Sequence, residues 1–214
     1  HHYSMDKFVP EFSAEFFAEQ VKALPTEALP LAEGQSVDEL VATLSPVIFD
    51  PAVMAKRVNQ AQGQDLILTS ANNLYEGITQ QEVEAYYNKL KDPKDQTPIS
   101  YGLNTKLVKI DGKVVELPYK AGGLYGEAIE KIVYWLKKAE EVAENDAQKA
   151  HIGKLISFYE TGDLKTFDEY SILWAQDTIS QVDFVNGFIE SYGDPLGMKG
   201  AWESLVNFKN MEAS

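Results

Sequence analysis

The chain carries the segment VDFVNGFIESYGDPLG at residues 182–197, and this segment decides how we interpret the second half of the molecule. Read as a strand from Val182 to Tyr192, its residues alternate between two faces with period two. The Gly-Asp-Pro sequence at 193–195 then ends the strand, because Pro cannot donate to a β-ladder and Gly permits a positive φ. The segment therefore predicts a buried strand followed by a sharp turn.

The end of this strand is a candidate binding site. Strict alternation places Phe188, Glu190 and Tyr192 on one face, with the Cα atoms of the last two about 6.6 Å apart. A carboxylate and a phenol on an otherwise apolar face suit the capture of a peptide ammonium group. The pattern alone favours the alternative interpretation, a solvated glutamate at the strand end beside a packing tyrosine.

Capping sequences predict helices in the first half of the chain. Ser13 precedes a helical stripe of apolar residues, and two capping boxes follow at Ser36–Glu39 and Thr79–Glu82. Each such cap contributes about 1 kcal/mol to helix stability.

Apolar periodicity predicts three further helices that pack as one unit with short links. Their expected ranges are Tyr125–Ala143, Asp146–Glu160 and Lys165–Trp174, with Gly162 ending the second. A last helix is expected from Gly200, with Trp202, Leu205 and Val206 on one face.

Strands are fewer. Residues 107–117 form a hairpin signal around Asp111-Gly112, which is typical of a type I′ turn, and 66–69 is a candidate short strand. Because a lone hairpin is marginal in water, we expect one small antiparallel sheet to contain both this hairpin and the strand ending at Tyr192. The predicted fold class is α+β, a mainly helical lobe with a small antiparallel β-sheet. The linker-like loop 91–98 suggests a subdivision into residues 1–98 and 99–214.

Composition limits the function classes. The 214 residues have a net charge of -14, with 33 acidic and 19 basic side chains. This balance argues against a nucleic-acid partner, since phosphate contacts need clustered Lys and Arg. No apolar run has the length of a membrane span, and no signal peptide is apparent. We expect no membrane partner and a cytoplasmic location.

Metal chemistry has little support in the residues. The chain has no Cys and three His, and no His is followed by Glu. His151 has no second ligand at zinc-binding spacing and is interpreted as a helix-surface or packing residue. His1 and His2 are either native or a tag remnant, with a native internal segment favoured. We expect no metal bound by this chain.

Several segments resemble the dipeptidyl peptidase III family (M49), zinc exopeptidases that release dipeptides from peptide N-termini. The similarity is most specific at 188–197, and extends to 100–107 and to Gly122–Tyr125 with the helix that follows. The chain resembles most of the lobe that does not bind zinc, so that all of 1–214 would be a single lower-lobe fragment. The family's zinc motif, H-E-x-x-x-G-H, is absent.

This resemblance implies roles for three residues. Glu190 and Tyr192 would hold the free N-terminus of the substrate, and Glu203, in the helix expected after the turn, would face the same amine subsite. The intact parent would be a zinc-dependent peptidase acting on short peptides, with the zinc-binding lobe of the same chain as partner. The fragment itself would have no catalytic residue and be inactive. The alternative is a non-catalytic helical peptide-binding or scaffold domain.

Overall fold

A computed structural model describes residues 7–8, 10–210 and 212–213. His1 and His2 lie outside the described residues. The chain divides into two compact units, the first reaching Gln64 and including Thr69–Ala71, the second formed by Asp65–Leu68 and the residues from Asn72 onward. This division lies earlier than the boundary at 98 and 99 expected from the sequence. That all 214 residues come from one lobe stays a prediction.

The first unit contains α1 (Ala14–Ala23), a 3-10 helix (Thr26–Ala28) and α2 (Val37–Phe49). The predicted caps are confirmed: Ser13 accepts from the Phe16 N–H, and both bonds of the Ser36–Glu39 capping box form. Phe49 of α2 contacts the ring of Phe17 of α1, with centroids 5.8 Å apart, so aromatic packing joins the two helices.

The second unit contains four helices and five strands among its described residues. The helices are α3 (Gln80–Leu90), α4 (Gly126–Glu141), α5 (Asp146–Thr161) and α6 (Leu164–Gln176). The strands are β1 (Tyr75–Glu76), β2 (Thr105–Ile110), β3 (Lys113–Pro118), β4 (Val182–Glu190) and β5 (Ala201–Phe208). The α+β class is confirmed.

The strands form two sheets, so the expectation of one sheet was wrong. β2 and β3 form the predicted hairpin, with positive φ at Asp111 and Gly112 as a type I′ turn requires, and β1 adds parallel to β2. β4 pairs antiparallel with β5 in a second sheet. β4 could pair separately because β5, absent from the prediction, supplies its hydrogen-bond partner.

Residues 201–208 are a strand, and the helix expected from Gly200 was wrong. The apolar residues Trp202, Leu205 and Val206 fit a helical stripe, but a run this short fits either period. Residues 201–208 form backbone hydrogen bonds with β4, which lies earlier in the chain, and this pairing makes the segment a strand.

The candidate strand at 66–69 was also wrong, since these residues form turns. The Asp65 carboxylate accepts from the N–H groups of Ile67 and Leu68 at 3.0 Å each, and from that of Gln80 at 2.9 Å. This local bonding satisfies the backbone without a strand partner.

The second unit has two buried apolar clusters. The larger one joins the predicted three-helix unit to β4, and it includes Ile129, Ile152, Leu155, Phe158, Tyr159, Phe167, Tyr170 and Phe188. The smaller lies under the β1–β2–β3 sheet and includes Tyr75, Ile78, Val83, Tyr87 and Leu107. The third helix begins at Leu164, just before the expected Lys165, with Asp163 as its N-cap accepting from the Thr166 N–H.

No helix in the described part of the chain is both long enough and apolar enough to span a membrane.

Candidate amine-binding site

β4 is fixed against the helices by Phe188. Its ring is buried, stacks on Tyr119 with centroids 5.2 Å apart, and meets Phe158 of α5 edge-on at 6.4 Å. Aromatic pairs of this kind add about 0.5–1.5 kcal/mol each beyond the burial of their area. The Phe188 side of β4 therefore faces the helical core.

Hydrogen bonds from α5 define the same face on both strands. Tyr159 donates to the side chain of Asn186 on β4 and accepts from Trp202 Nε1 on β5 at 2.8 Å. Burial raises the pKa of Tyr159 well above its usual value, so its hydroxyl stays protonated. Asn186 in turn donates to Ser204 Oγ at 3.3 Å. Because Trp202 and Ser204 lie on the face bonded to α5, Glu203 between them lies on the other face, together with its partner Gly187.

A β-bulge determines which face Glu190 takes. Phe188 pairs with Trp202, but Glu190 pairs with Ala201, so Ile189 is an extra residue in the ladder. Paired residues share a face, and Glu190 therefore lies on the face of Ala201 and Glu203. This corrects the alternation expected from the sequence, which placed Glu190 on the Phe188 face.

The bulge brings two of the candidate residues together. Since Glu203 lies two positions beyond the Ala201 partner, Glu190 and Glu203 are diagonal neighbours, with Cα atoms about 7–8 Å apart in an ordinary antiparallel pair. Glu190 is exposed and Glu203 is half-buried. Neither carboxylate forms a hydrogen bond or ion pair with another described residue. Both are thus open to a cationic ligand.

Tyr192 lies outside the strand. β4 ends at Glu190, and Tyr192 follows in the turn with 56% of its surface exposed. Its hydroxyl has no hydrogen bond to another described residue. The side-by-side arrangement expected from a continuous strand is therefore replaced by a carboxylate at the strand end and a phenol in the turn.

An open cavity of about 570 Å³ adjoins this strand end. Ile189, Ser191 and Met198 line one side, and the segment 91–103 lines the other. This volume lies in the range of small-molecule pockets.

The turn after β4 is organised by Asp194, which the sequence interpretation treated only as part of a strand break. Asp194 Oδ2 accepts from the Tyr75 hydroxyl at 2.8 Å and from the N–H groups of Met198 and Lys199 at 2.9 and 2.8 Å. Its Oδ1 accepts from the Leu196 N–H at 3.1 Å. The Asp-Pro sequence could have indicated this role of Asp194, since Asp side chains commonly accept hydrogen bonds from the backbone of a turn.

Lys199 is the second residue that the sequence did not single out. Its side chain is buried, with 1% of the residue exposed, and Nζ donates to the Tyr87 hydroxyl at 2.9 Å and to Thr105 O and Oγ1 at 2.9 and 3.0 Å. Burial lowers the pKa of Lys199 to about 8, against the opposing attraction of Glu116 and Asp194. No pattern in the sequence indicates a buried lysine, because lysines are almost always exposed.

The described residues do not form a site for the zinc ion that the family implies. Nowhere in the described ranges do three His, Cys, Asp or Glu side chains come together as a group that could hold a metal ion. His151, the one histidine described, is buried beside Tyr170 and Phe184 and faces Asp177, so it packs in the core.

Comparison with known proteins places the chain in a family. Residues 57–214 match peptidase family M49. Dipeptidyl peptidase 3 of Dictyostelium discoideum is 32% identical over 106 residues, which are 50% of this chain and 15% of that protein. Human dipeptidyl peptidase 3 is 34% identical over 92 residues, 43% of this chain and 12% of that protein. The alignments thus span less than a sixth of these relatives.

Solved structures agree on the fold. DPP III from Caldithrix abyssi superposes with a TM-score of 0.54 at 20% identity, covering 94% of this chain and 35% of that one. Dipeptidyl-peptidase III from Corallococcus sp. strain EGB gives the same TM-score and identity, with 93% and 36% covered. The fold is that of part of these two DPP III structures. Since the family match covers most of its length, the chain belongs to peptidase family M49.

Proposed function

We propose that this chain is part of a zinc-dependent dipeptidyl peptidase and supplies the subsite for the free amine of the peptide substrate. Glu190 and Glu203 bind the ammonium group as carboxylates, and Tyr192 adds a hydroxyl. The observation that carries the proposal is the β-bulge, which puts Glu190 on the face of Glu203 while both side chains lack a partner among the described residues.

The charges suit an N-terminal amine. A peptide α-amino group has a pKa of about 7.7–8.0 and is largely protonated at neutral pH. Two carboxylates on one sheet face repel each other, and a cation between them relieves that repulsion. Each charge-assisted hydrogen bond contributes about 1.5–3 kcal/mol. Holding the amine at one fixed point also limits which peptide bond can reach a catalytic centre, as an exopeptidase requires.

In this proposal the chain binds and orients the peptide, while zinc is held by another part of the protein. The absence of a group of three potential metal ligands among the described residues is compatible with that division. The partners we propose are short peptides and the zinc-binding lobe, and the proposed location is the cytoplasm.

The test uses the intact protein that contains this chain. Glu190→Gln removes one negative charge and should lower kcat/KM for a free-amine peptide by about ten- to a hundredfold. An N-acetylated peptide of the same sequence has no ammonium group, so its slow cleavage should change little. Glu130→Gln, at an exposed position on α4, is the matched control and should leave both values unchanged.

Two results would decide against the proposal. If Glu190→Gln slows both peptides by the same factor, the carboxylate does not bind the amine. If the intact protein shows no chelator-sensitive release of dipeptides, the alternative of a non-catalytic peptide-binding or scaffold domain is correct.

A further inference from the structure

A buried polar cluster lies beneath the turn between β4 and β5, and the proposed function makes no use of it. We call it the Lys199 cluster; it consists of Tyr75, Tyr87, Thr105, Glu116, Asp194 and Lys199. Its members come from β1, α3, β2, β3 and the β4–β5 loop. It therefore joins both sheets of the second unit.

The charges in the cluster are linked through hydroxyl groups. Lys199 Nζ bonds the Tyr87 hydroxyl, which donates to Glu116 Oε1 at 2.6 Å. Thr105 Oγ1 accepts from Lys199 and donates to Glu116 at 2.9 Å. Nζ also lies 5.2 and 5.3 Å from the ring centroids of Tyr75 and Tyr87, within cation–π range. Lys199 thus faces two tyrosine rings and the charges of Glu116 and Asp194.

The backbone around Lys199 is shaped to receive the ammonium group. Gly102 has a φ of +82° and offers its carbonyl to Nζ at 3.3 Å. A Cβ at Gly102 would lie 2.6 Å from the Tyr87 hydroxyl oxygen, so a larger residue would displace that hydroxyl. The acceptors around the buried ammonium come from α3, β2 and the turn at Gly102, and together they hold one arrangement of the lysine.

The cluster fixes the loop that carries the amine-binding residues. Loop 191–200 begins directly after Glu190, contains Tyr192, and ends three residues before Glu203. Asp194 and Lys199 hold the loop to Tyr75 and Thr105, and the Gly200 N–H donates to Leu103 O at 2.8 Å. Without these bonds a ten-residue connection would sample many conformations.

We propose that Lys199, together with Asp194, is a positioning residue that holds the β4–β5 loop so that Glu190, Tyr192 and Glu203 converge on one ammonium group. This proposal rests on the proposed amine subsite, and it names the residues that hold that subsite in place. Neither residue touches the substrate. Small displacements of binding groups weaken substrate binding strongly, so the loss of this support should appear in KM.

The test is steady-state kinetics on the intact protein with the free-amine peptide and its N-acetylated counterpart. Lys199→Met keeps the length of the side chain and removes the charge and its hydrogen bonds. We expect KM for the free-amine peptide to rise about tenfold, with kcat nearly unchanged and little change for the acetylated peptide. Lys137→Met, which breaks an exposed ion pair with Glu160, is the control and should change neither KM.

A merely structural role gives a different result. Loss of folded protein lowers the concentration of active enzyme, so kcat falls equally for both peptides while KM stays the same. That outcome would overturn the proposal. Should Lys199→Met not fold, Tyr75→Phe decides the question, because it removes only the hydroxyl that donates to Asp194. A rise of about threefold in KM for the free-amine peptide supports the proposal, and an unchanged KM overturns it.

Glu190→Gln in the same assay separates the two proposals. If Glu190→Gln raises KM for the free-amine peptide and neither cluster variant does, only the positioning role fails. If Glu190→Gln has no amine-selective effect, the amine subsite itself fails.

Discussion

At the scale of single residues, burial decides how the titratable groups of this chain behave. Lys199 and His151 are both almost fully buried, at 1% and 2% exposed. Burial lowers the pKa of each, although carboxylates lie nearby. For His151 the loss of hydration outweighs the attraction of Asp177, whose Oδ2 lies 3.4 Å from Nε2. The ring is therefore neutral at pH 7, and its buried Nδ1 has no hydrogen-bond partner among the described residues.

His151 should make the protein sensitive to acid. Because its pKa is lower in the folded state than the usual 6.5, the unfolded chain binds more protons as the pH falls through 6.5, and the folded state loses stability. We expect the melting temperature of the native protein to fall more between pH 7 and pH 5 than that of His151→Gln, which cannot titrate. Equal falls for the two proteins over this range would show that His151 is not the group responsible.

At the scale of elements, the pairing of β4 with β5 creates a sheet face that neither strand has alone. The two strands form the face that carries Glu190 and Glu203, while Phe188 and Asn186 hold the opposite face to α5. β4 also approaches α6 closely at Gly187, where a Cβ would lie 2.8 Å from Phe167 Cε2. The glycine therefore has a packing role.

Gly187→Ala should destabilise the protein by about 1–3 kcal/mol, because a methyl group would be forced against the buried Phe167 ring. Chemical denaturation followed by the linear extrapolation method measures this difference. Gly126→Ala, at the first position of α4 where the nearest atom to a new Cβ is 3.7 Å away, is the control and should be neutral or slightly stabilising. Equal stabilities for Gly187→Ala and Gly126→Ala would contradict the packing role.

At the scale of the whole molecule, binding and chemistry are proposed to lie in different parts of one protein. The described residues place Glu190 and Glu203 on one face of the β4–β5 sheet, and they include no group of three His, Cys, Asp or Glu side chains that could hold a metal ion. With a net charge of -14, the chain favours cationic over anionic ligands through its overall field.

The 214-residue chain should therefore not cleave dipeptidyl-naphthylamides, with or without added zinc, whereas the intact protein should. Release of naphthylamine by each protein measures this directly. Zinc-dependent turnover by the chain itself would show that the catalytic centre lies within it, and the proposed division would then be wrong.

The sequence by itself determined the features that depend on near neighbours. The capping boxes at Ser36–Glu39 and Thr79–Glu82 form as predicted, since each joins groups three residues apart. The Asp111-Gly112 turn and the helices α4 to α6 also follow from local signals, and so does the α+β class. These features depend mainly on residues close in sequence, so periodicity and turn chemistry predict them.

Only the tertiary structure decided the features that depend on distant partners. The strand at 201–208 replaced a predicted helix because β4 offered it a hydrogen-bonding edge. The bulge at Ile189 then placed Glu190 beside Glu203, which no alternation in sequence could show. The hydrogen-bond partners of buried Lys199, Tyr87 and Thr105, lie 112 and 94 residues away in sequence. No local pattern could therefore predict its burial. A lysine is stable in the interior only where distant elements supply all its acceptors, and that supply is a property of the fold.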